Sequence, residues 1–79
     1  MDHAKYIIIK GGGLELPVVF SPLLKHSDVA KGFVIAAAGF CDISNNEVAC
    51  WGKSVSLDIE SRPVEDAYLI RRQILGLDS

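Results

Sequence analysis

Residues 39–52 read GFCDISNNEVACWG, and this stretch decides the fold. Its first three residues, Gly39-Phe40-Cys41, are mirrored by Cys50-Trp51-Gly52 about Asn45-Asn46, a dipeptide that suits a tight turn. In an antiparallel ladder closed by a two-residue loop, Ser44 faces Glu47 and Cys41 faces Cys50. The mirror therefore predicts a β-hairpin with one register, in which Phe40 lies opposite Trp51.

The two strands of this hairpin extend beyond the mirrored residues. Phe33 to Ile43 is apolar on both faces until Asp42, which is typical of a central strand, although Ala36 to Ala38 would also permit a helix. Val48 to Ile59 returns and alternates between apolar and polar residues from Lys53 onward. We therefore expect one long returning strand.

The register divides the side chains of the hairpin between two faces. We expect one face to form the core, with Val34, Ala36, Ala38, Phe40, Trp51, Val55, Leu57 and Ile59. The opposite face carries both cysteines and mixes aliphatic with small polar groups. We expect it to be partly covered or to contact another subunit.

A second hairpin precedes the first in the chain. Lys5 to Lys10 is rich in β-branched and aromatic residues, the glycines 11–13 suit a turn, and Leu14 to Phe20 continues as a strand. Pro17 lacks an N–H donor, so the second strand is expected at an edge of the sheet or at a bulge.

Two helices complete the predicted order. Ser21-Pro22 is a typical helix start, and Gly32 would end a short helix with Leu23, Leu24, Ser27 and Ala30 facing inward, although Ser27-Asp28 could cap a separate turn. A longer helix opens at Ser61-Arg62-Pro63 and ends before Gly76. Its expected inner stripe contains Val64, Ala67, Tyr68, Ile70, Ile74 and Leu75, and Arg71 falls within it.

The elements follow the order ββαββα, which predicts an α+β fold over residues 1–79 as a single domain. Its expected form is a mostly antiparallel four-stranded sheet, with a short helix and a longer C-terminal helix packed on it.

Composition limits the classes of function. Of the 79 residues, 49% are apolar, a large share for so short a chain, and this favours burial against a second copy, most simply in a dimer. The net charge is -2 and the basic residues are scattered, so no nucleic-acid partner is expected. The four apolar residues 6–9 are too few for a signal peptide, and no run is long enough to cross a membrane. We expect a soluble, cytoplasmic protein.

The two cysteines could indicate a redox site or a metal site. Opposed Cys41 and Cys50 could form a disulfide, but two packed, free thiols are the expected state in a cytoplasmic chain. No Cys-x-x-Cys motif or neighbouring base supports thiol catalysis. His3 and His26 lack the close spacing of metal ligands and are expected to be solvated. We therefore predict no metal site and no cofactor.

Three residues are candidates for partner binding. Arg71 lies on the apolar stripe of the last helix, either with its head in solvent or paired with Asp42, Asp58 or Glu60. Phe40 and Trp51 form a predicted aromatic pair that could pack in the core or anchor a partner.

No motif assigns the chain to a family. The Ser-Arg-Pro-x-x-Asp-Ala-x-Leu helix opening of residues 61–69 and the Cys-Trp-Gly strand resemble those of compact bacterial or prophage proteins of unknown role. We predict a non-catalytic interaction or structural protein that self-associates. The alternatives are a thiol-dependent enzyme or redox protein using Cys41 or Cys50, and a subunit whose small-molecule site forms between copies.

Overall fold

The structure is a computed structural model that describes residues 3–76. It contains six strands and two helices: β1 (Ala4–Gly11), β2 (Leu14–Phe20), α1 (His26–Val29), β3 (Val34–Ser44), β4 (Glu47–Trp51), β5 (Lys53–Ser54), β6 (Ile59–Glu60) and α2 (Pro63–Gln73). The first four strands form an antiparallel sheet in the order β2-β1-β3-β4, and β5 pairs with β6 in a small separate hairpin. The predicted α+β fold, with its four-stranded sheet and two helices, is confirmed.

The β3–β4 hairpin has the predicted register. Ser44 pairs with Glu47, Cys41 with Cys50 and Phe40 with Trp51. Asn45 and Asn46 have φ angles of 51° and 67°, the left-handed geometry that a two-residue turn requires and that asparagine tolerates. The segment that could have been a helix is a strand, because it pairs with β1 along most of its length.

The first hairpin also forms as predicted, and β2 lies at an edge of the sheet with Pro17 in it. Between Ile8 and Ile9 the β1–β3 register shifts by one residue, so that Ile8 pairs with Ala37 and Ile9 with Ile35. This bulge leaves Ala36 without a partner on β1.

Both faces of the sheet are covered, which corrects the predicted roles of the two faces. The face with both cysteines is the one that α2 covers, and it forms a core of Tyr6, Ile8, Ala37, Cys41, Cys50 and Ile70. On the other face, Ile7, Ala30 and Ala38 pack with Leu57 and Ile59. Val34, Val55 and Trp51, which were expected in the core, are exposed.

The predicted long returning strand is wrong beyond Trp51. Gly52 has a φ of 79°, which turns the chain out of the sheet, and residues 55–58 form a turn between β5 and β6. Within that turn the Ser54 hydroxyl accepts the Leu57 N–H at 3.2 Å, and Lys53 pairs with Asp58 at 3.1 Å. These local bonds favour the turn over a continued ladder, since the Ser54 hydroxyl gives the Leu57 N–H a partner outside the sheet and the ion pair joins the two ends of the turn.

The predicted first helix is also much shorter than expected. The Ser21 hydroxyl accepts the Leu23 N–H at 3.1 Å and closes a turn, so the helix begins only at His26. Leu23, predicted to face inward, is 92% exposed. His26, predicted to be solvated, is buried.

The second helix has nearly the predicted bounds, but a different face is buried. Asp66 and Ile70 are its buried residues, whereas Val64 and Tyr68 of the predicted inner stripe are exposed. Neither helix within residues 3–76 has the length and apolar character of a membrane span.

Candidate functional site

A polar network joins α2 to the sheet beneath the helix. Tyr6 of β1 donates its hydroxyl hydrogen to Asp66 Oδ2 at 2.5 Å, and the Arg62 backbone N–H donates to the same oxygen at 2.7 Å. The Arg62 Nε–H donates to Asp66 Oδ1 at 3.0 Å. The Asp66 side chain has no solvent exposure, so these three donors replace its hydration.

The network continues to the edge strand β2. The Arg62 guanidinium makes a two-pronged contact with the Glu15 carboxylate at 2.9 and 3.2 Å. These hydrogen bonds hold the pKa of Glu15 below its usual value. Burial and the bond to Asp66 raise the pKa of Tyr6, so its hydroxyl stays protonated. We interpret the network as structural, because its polar groups are occupied with one another and none is free to act on a substrate.

The cysteine pair lies in the core under α2. Residues 44 and 47 flank the two-residue turn as a hydrogen-bonded pair, and alternation makes Cys41 and Cys50 a non-hydrogen-bonded pair. Both are free thiols and both are buried. Burial raises the pKa of Cys41 to about 11. Burial and the nearby Cys41 thiol together raise the pKa of Cys50 to about 12. Neither thiol has the environment of a reactive nucleophile.

We expect both thiols to be alkylated slowly by iodoacetamide near neutral pH, because the reactive thiolate is scarce and both thiols are buried. Mass spectrometry over time would measure the rate, with the chain unfolded in urea as the fast control. Rapid alkylation of the native protein would support the thiol-enzyme alternative. A mass two protons lower without reductant would instead show a disulfide.

A groove runs along the outer side of β4, between the strand and α2. It has a volume of about 480 Å³. We call it the β4 groove; its lining includes Val48, Cys50, Val64, Ala67, Tyr68 and Arg71. Val64 is 83% exposed and Tyr68 is 50% exposed, so α2 presents an apolar ridge beside the strand. Arg71 is exposed at the groove, and none of the ion pairs found within residues 3–76 includes it.

A second concave site lies on the opposite face of the sheet, where α1 and the β5–β6 hairpin meet β1 and β3. It has a volume of about 320 Å³. We call it the lysine pocket, and it is lined by Lys5, Lys25, His26, Phe40, Lys53, Val55 and Ser56.

Aromatic rings adjoin the lysine pocket. Phe40 stacks with Trp51 at a centroid distance of 6.4 Å, and His3 and His26 approach the Phe40 ring edge-on at 5.2 and 5.8 Å. The His26 Nε2–H donates to the Gly39 carbonyl at 2.8 Å. Burial lowers the pKa of His26, so its ring is neutral at pH 7. The prediction of a solvated His26 failed because α1 is a single turn that carries this ring onto the sheet.

The candidate site residues therefore separate onto two faces. Arg71 lies at the β4 groove, Phe40 lines the lysine pocket, and Trp51 borders Phe40. Both cysteines lie under α2, on the face of the sheet opposite His26. Within the described part of the chain, no three His, Cys, Asp or Glu side chains converge as metal ligands would.

Sequence reasoning missed the Asp66 network and the lysine pocket. An aspartate among apolar helix positions was a usable signal for the first, although nothing local identified Tyr6 as its partner. The three lysines of the pocket come from β1, the segment before α1, and β5, so their spacing carries no pattern.

Comparison of the chain with protein-family models, with curated proteins and with solved structures found no match. The β4 groove and the lysine pocket are therefore the features from which a function can be inferred.

Proposed function

We propose that the chain is a non-catalytic interaction protein that pairs with a second copy of itself along strand β4. The observation that carries the proposal is an open sheet edge bordered by the exposed ridge of Val64 and Tyr68. Exposed apolar area next to an unpaired strand is typical of an interaction surface. The apolar composition of the chain supports the same proposal.

The two edges of the sheet differ in a way that favours β4. In β2, Pro17 occupies a non-hydrogen-bonded position opposite Ile8, so its backbone nitrogen faces outward. Because proline has no N–H, the edge of β2 lacks a hydrogen-bond donor at this position. The Gln73 side chain covers the outward carbonyl of Glu15 at 3.0 Å. β2 is therefore poorly suited to pair with another strand.

In β4, the backbone groups of Val48 and Cys50 face outward, because both residues occupy non-hydrogen-bonded positions opposite β3. No hydrogen bond to these groups from elsewhere in residues 3–76 is found. A second β4 strand, antiparallel and centred on Ala49, would place Val48 opposite Cys50 of the second copy. The outward N–H and C=O groups of Val48 and Cys50 in one copy would then hydrogen-bond with those of the other copy.

The charges of α2 complement each other in the same two-fold arrangement. The helix has Glu65 in its first turn and Arg71 and Arg72 in its last. A two-fold axis beside the helix sets two such helices antiparallel, so Glu65 of one copy approaches Arg71 of the other. Glu65 is available for this contact, since its carboxylate is largely exposed and lies 3.9 Å from Arg62.

Sedimentation equilibrium tests the proposal. We expect wild-type protein to be a dimer and Tyr68→Glu to be a monomer, because two carboxylates would be buried near the axis. Val48→Pro should also be a monomer, since it removes an outward donor and leaves the β3–β4 ladder bonds in place. Val55→Glu, at an exposed position on the other face, is the matched control and should remain a dimer.

Trp51 gives an independent readout, because it is the only tryptophan and would lie opposite Glu47 of the second copy. Its fluorescence should change on dilution through the dissociation range. A wild-type monomer at millimolar concentration would overturn the proposal, as would a dimer that survives Val48→Pro.

The cytoplasmic location remains a prediction from the sequence.

A further inference from the structure

The lysine pocket concentrates positive charge on a chain whose net charge is -2. Three of the eight basic residues, Lys5, Lys25 and Lys53, line it, and no carboxylate is among its lining residues. They come from three separate parts of the fold. Three positive charges around one pocket create a positive potential that favours an anionic ligand.

Each ammonium group has hydrogen-bonding capacity left for a ligand. Lys5 Nζ donates one hydrogen to the Leu24 carbonyl at 2.8 Å, which orients the group and leaves two N–H bonds. Lys53 pairs with Asp58, whose side chain is 89% exposed, and an ion pair so open to water is weak enough to exchange. Lys25 takes part in none of the ion pairs seen across residues 3–76.

Apart from the lysines and Ser56, the pocket is lined by aromatic rings and one aliphatic side chain. The Phe40 ring and the Val55 side chain line it beside the lysines, and His26 presents a neutral ring whose Nε2–H is already used by Gly39. A volume of about 320 Å³ lies at the small end of the range for small-molecule sites. The pocket thus combines an anion site with a surface for a planar or apolar group.

We propose that the lysine pocket binds a phosphate monoester that carries a planar or apolar body. The phosphate is held by Lys5, Lys25 and Lys53, and the body lies against Phe40 and Val55. A phosphate monoester suits this site better than a carboxylate, because it has nearly two negative charges and three acceptor oxygens for three ammonium groups. The site lies on the face opposite the β4 groove, so binding does not depend on self-association.

Titration of ¹⁵N-labelled protein with phenyl phosphate, followed by NMR, tests this proposal. We expect saturable shifts of the backbone amides of His26, Phe40 and Ser56. Lys25→Met and Lys53→Met should each weaken binding about tenfold, as expected for the loss of a charge-assisted hydrogen bond. Lys31→Met, an exposed lysine outside the pocket, should bind phenyl phosphate like the wild type.

Inorganic phosphate serves as the second probe. It should bind more weakly than phenyl phosphate, because stacking on an aromatic ring contributes to affinity. Equal affinity for the two probes would show that the planar or apolar body does not contact Phe40 and Val55. Shifts centred on Arg71 and Arg72 would show that the anion binds outside the lysine pocket. An absence of saturable shifts at millimolar phenyl phosphate would overturn the proposal as a whole.

Discussion

Replacement of Asp66 by alanine is expected to lower the free energy of unfolding by about 3–5 kcal/mol, the range for removing one partner of a buried ion pair. Asp66 is fully buried and accepts hydrogen bonds from the Tyr6 hydroxyl and from two Arg62 N–H groups. Alanine would leave the Tyr6 hydroxyl without a partner under the helix. A chain of this size has roughly 4–12 kcal/mol of stability, so much of it would be lost.

Urea denaturation followed by circular dichroism measures this change. Glu65→Ala is the matched control, because it removes a carboxylate from the same helical turn at an exposed position. We expect it to change stability by less than about 1 kcal/mol. Tyr6→Phe should destabilise the wild type but have a smaller effect when Asp66 is already alanine. Equal effects of Asp66→Ala and Glu65→Ala would show that the network contributes little to stability.

Replacement of Ile70 by alanine is expected to cost about 2–5 kcal/mol, because it leaves a cavity in the core between α2 and the sheet. Ile70 has no solvent exposure and packs with Tyr6, Ile8 and the cysteine pair. Ile74, one turn later in the chain, is 43% exposed and provides the control. Both substitutions replace isoleucine by alanine near the end of one helix, so burial is the main difference between them.

Thermal and urea unfolding of the two variants give the comparison. Ile74→Ala should cost only about 1 kcal/mol, since the Ile74 side chain is only partly buried and its removal leaves no enclosed cavity. If the two variants were equally destabilised, the helix would be rotated relative to the sheet. In that case the predicted stripe that includes Ile74 would be correct after all.

The two hairpins could be predicted from the sequence because their signals are local. The mirrored residues about Asn45-Asn46 specify which residues face each other within fourteen positions of the chain. The glycines before Leu14 act in the same way for the first hairpin. Turn chemistry and alternation therefore determine strand pairing before any distant contact forms.

Which element covers each face of the sheet could not be predicted from local signals. Residues 33–41 are apolar on both faces of the strand, so either face could be covered, and the sequence does not show which face α2 covers and which the β5–β6 hairpin covers. The rotation of α2 depends on Asp66, whose hydrogen-bond partner Tyr6 lies 60 residues away. A carboxylate is acceptable in a core only when its donors are in place, and one of the donors to Asp66, the Tyr6 hydroxyl, comes from another element.

The same distinction applies to the candidate sites. Sequence alone singled out Arg71 and Phe40, but it did not separate them onto opposite faces or bring Lys5, Lys25 and Lys53 together. By itself the sequence determined the α+β class, both hairpins and the register that opposes Cys41 and Cys50. The tertiary structure decided which face α2 covers and where charge collects, because burial and electrostatic contacts depend on residues that are distant along the chain.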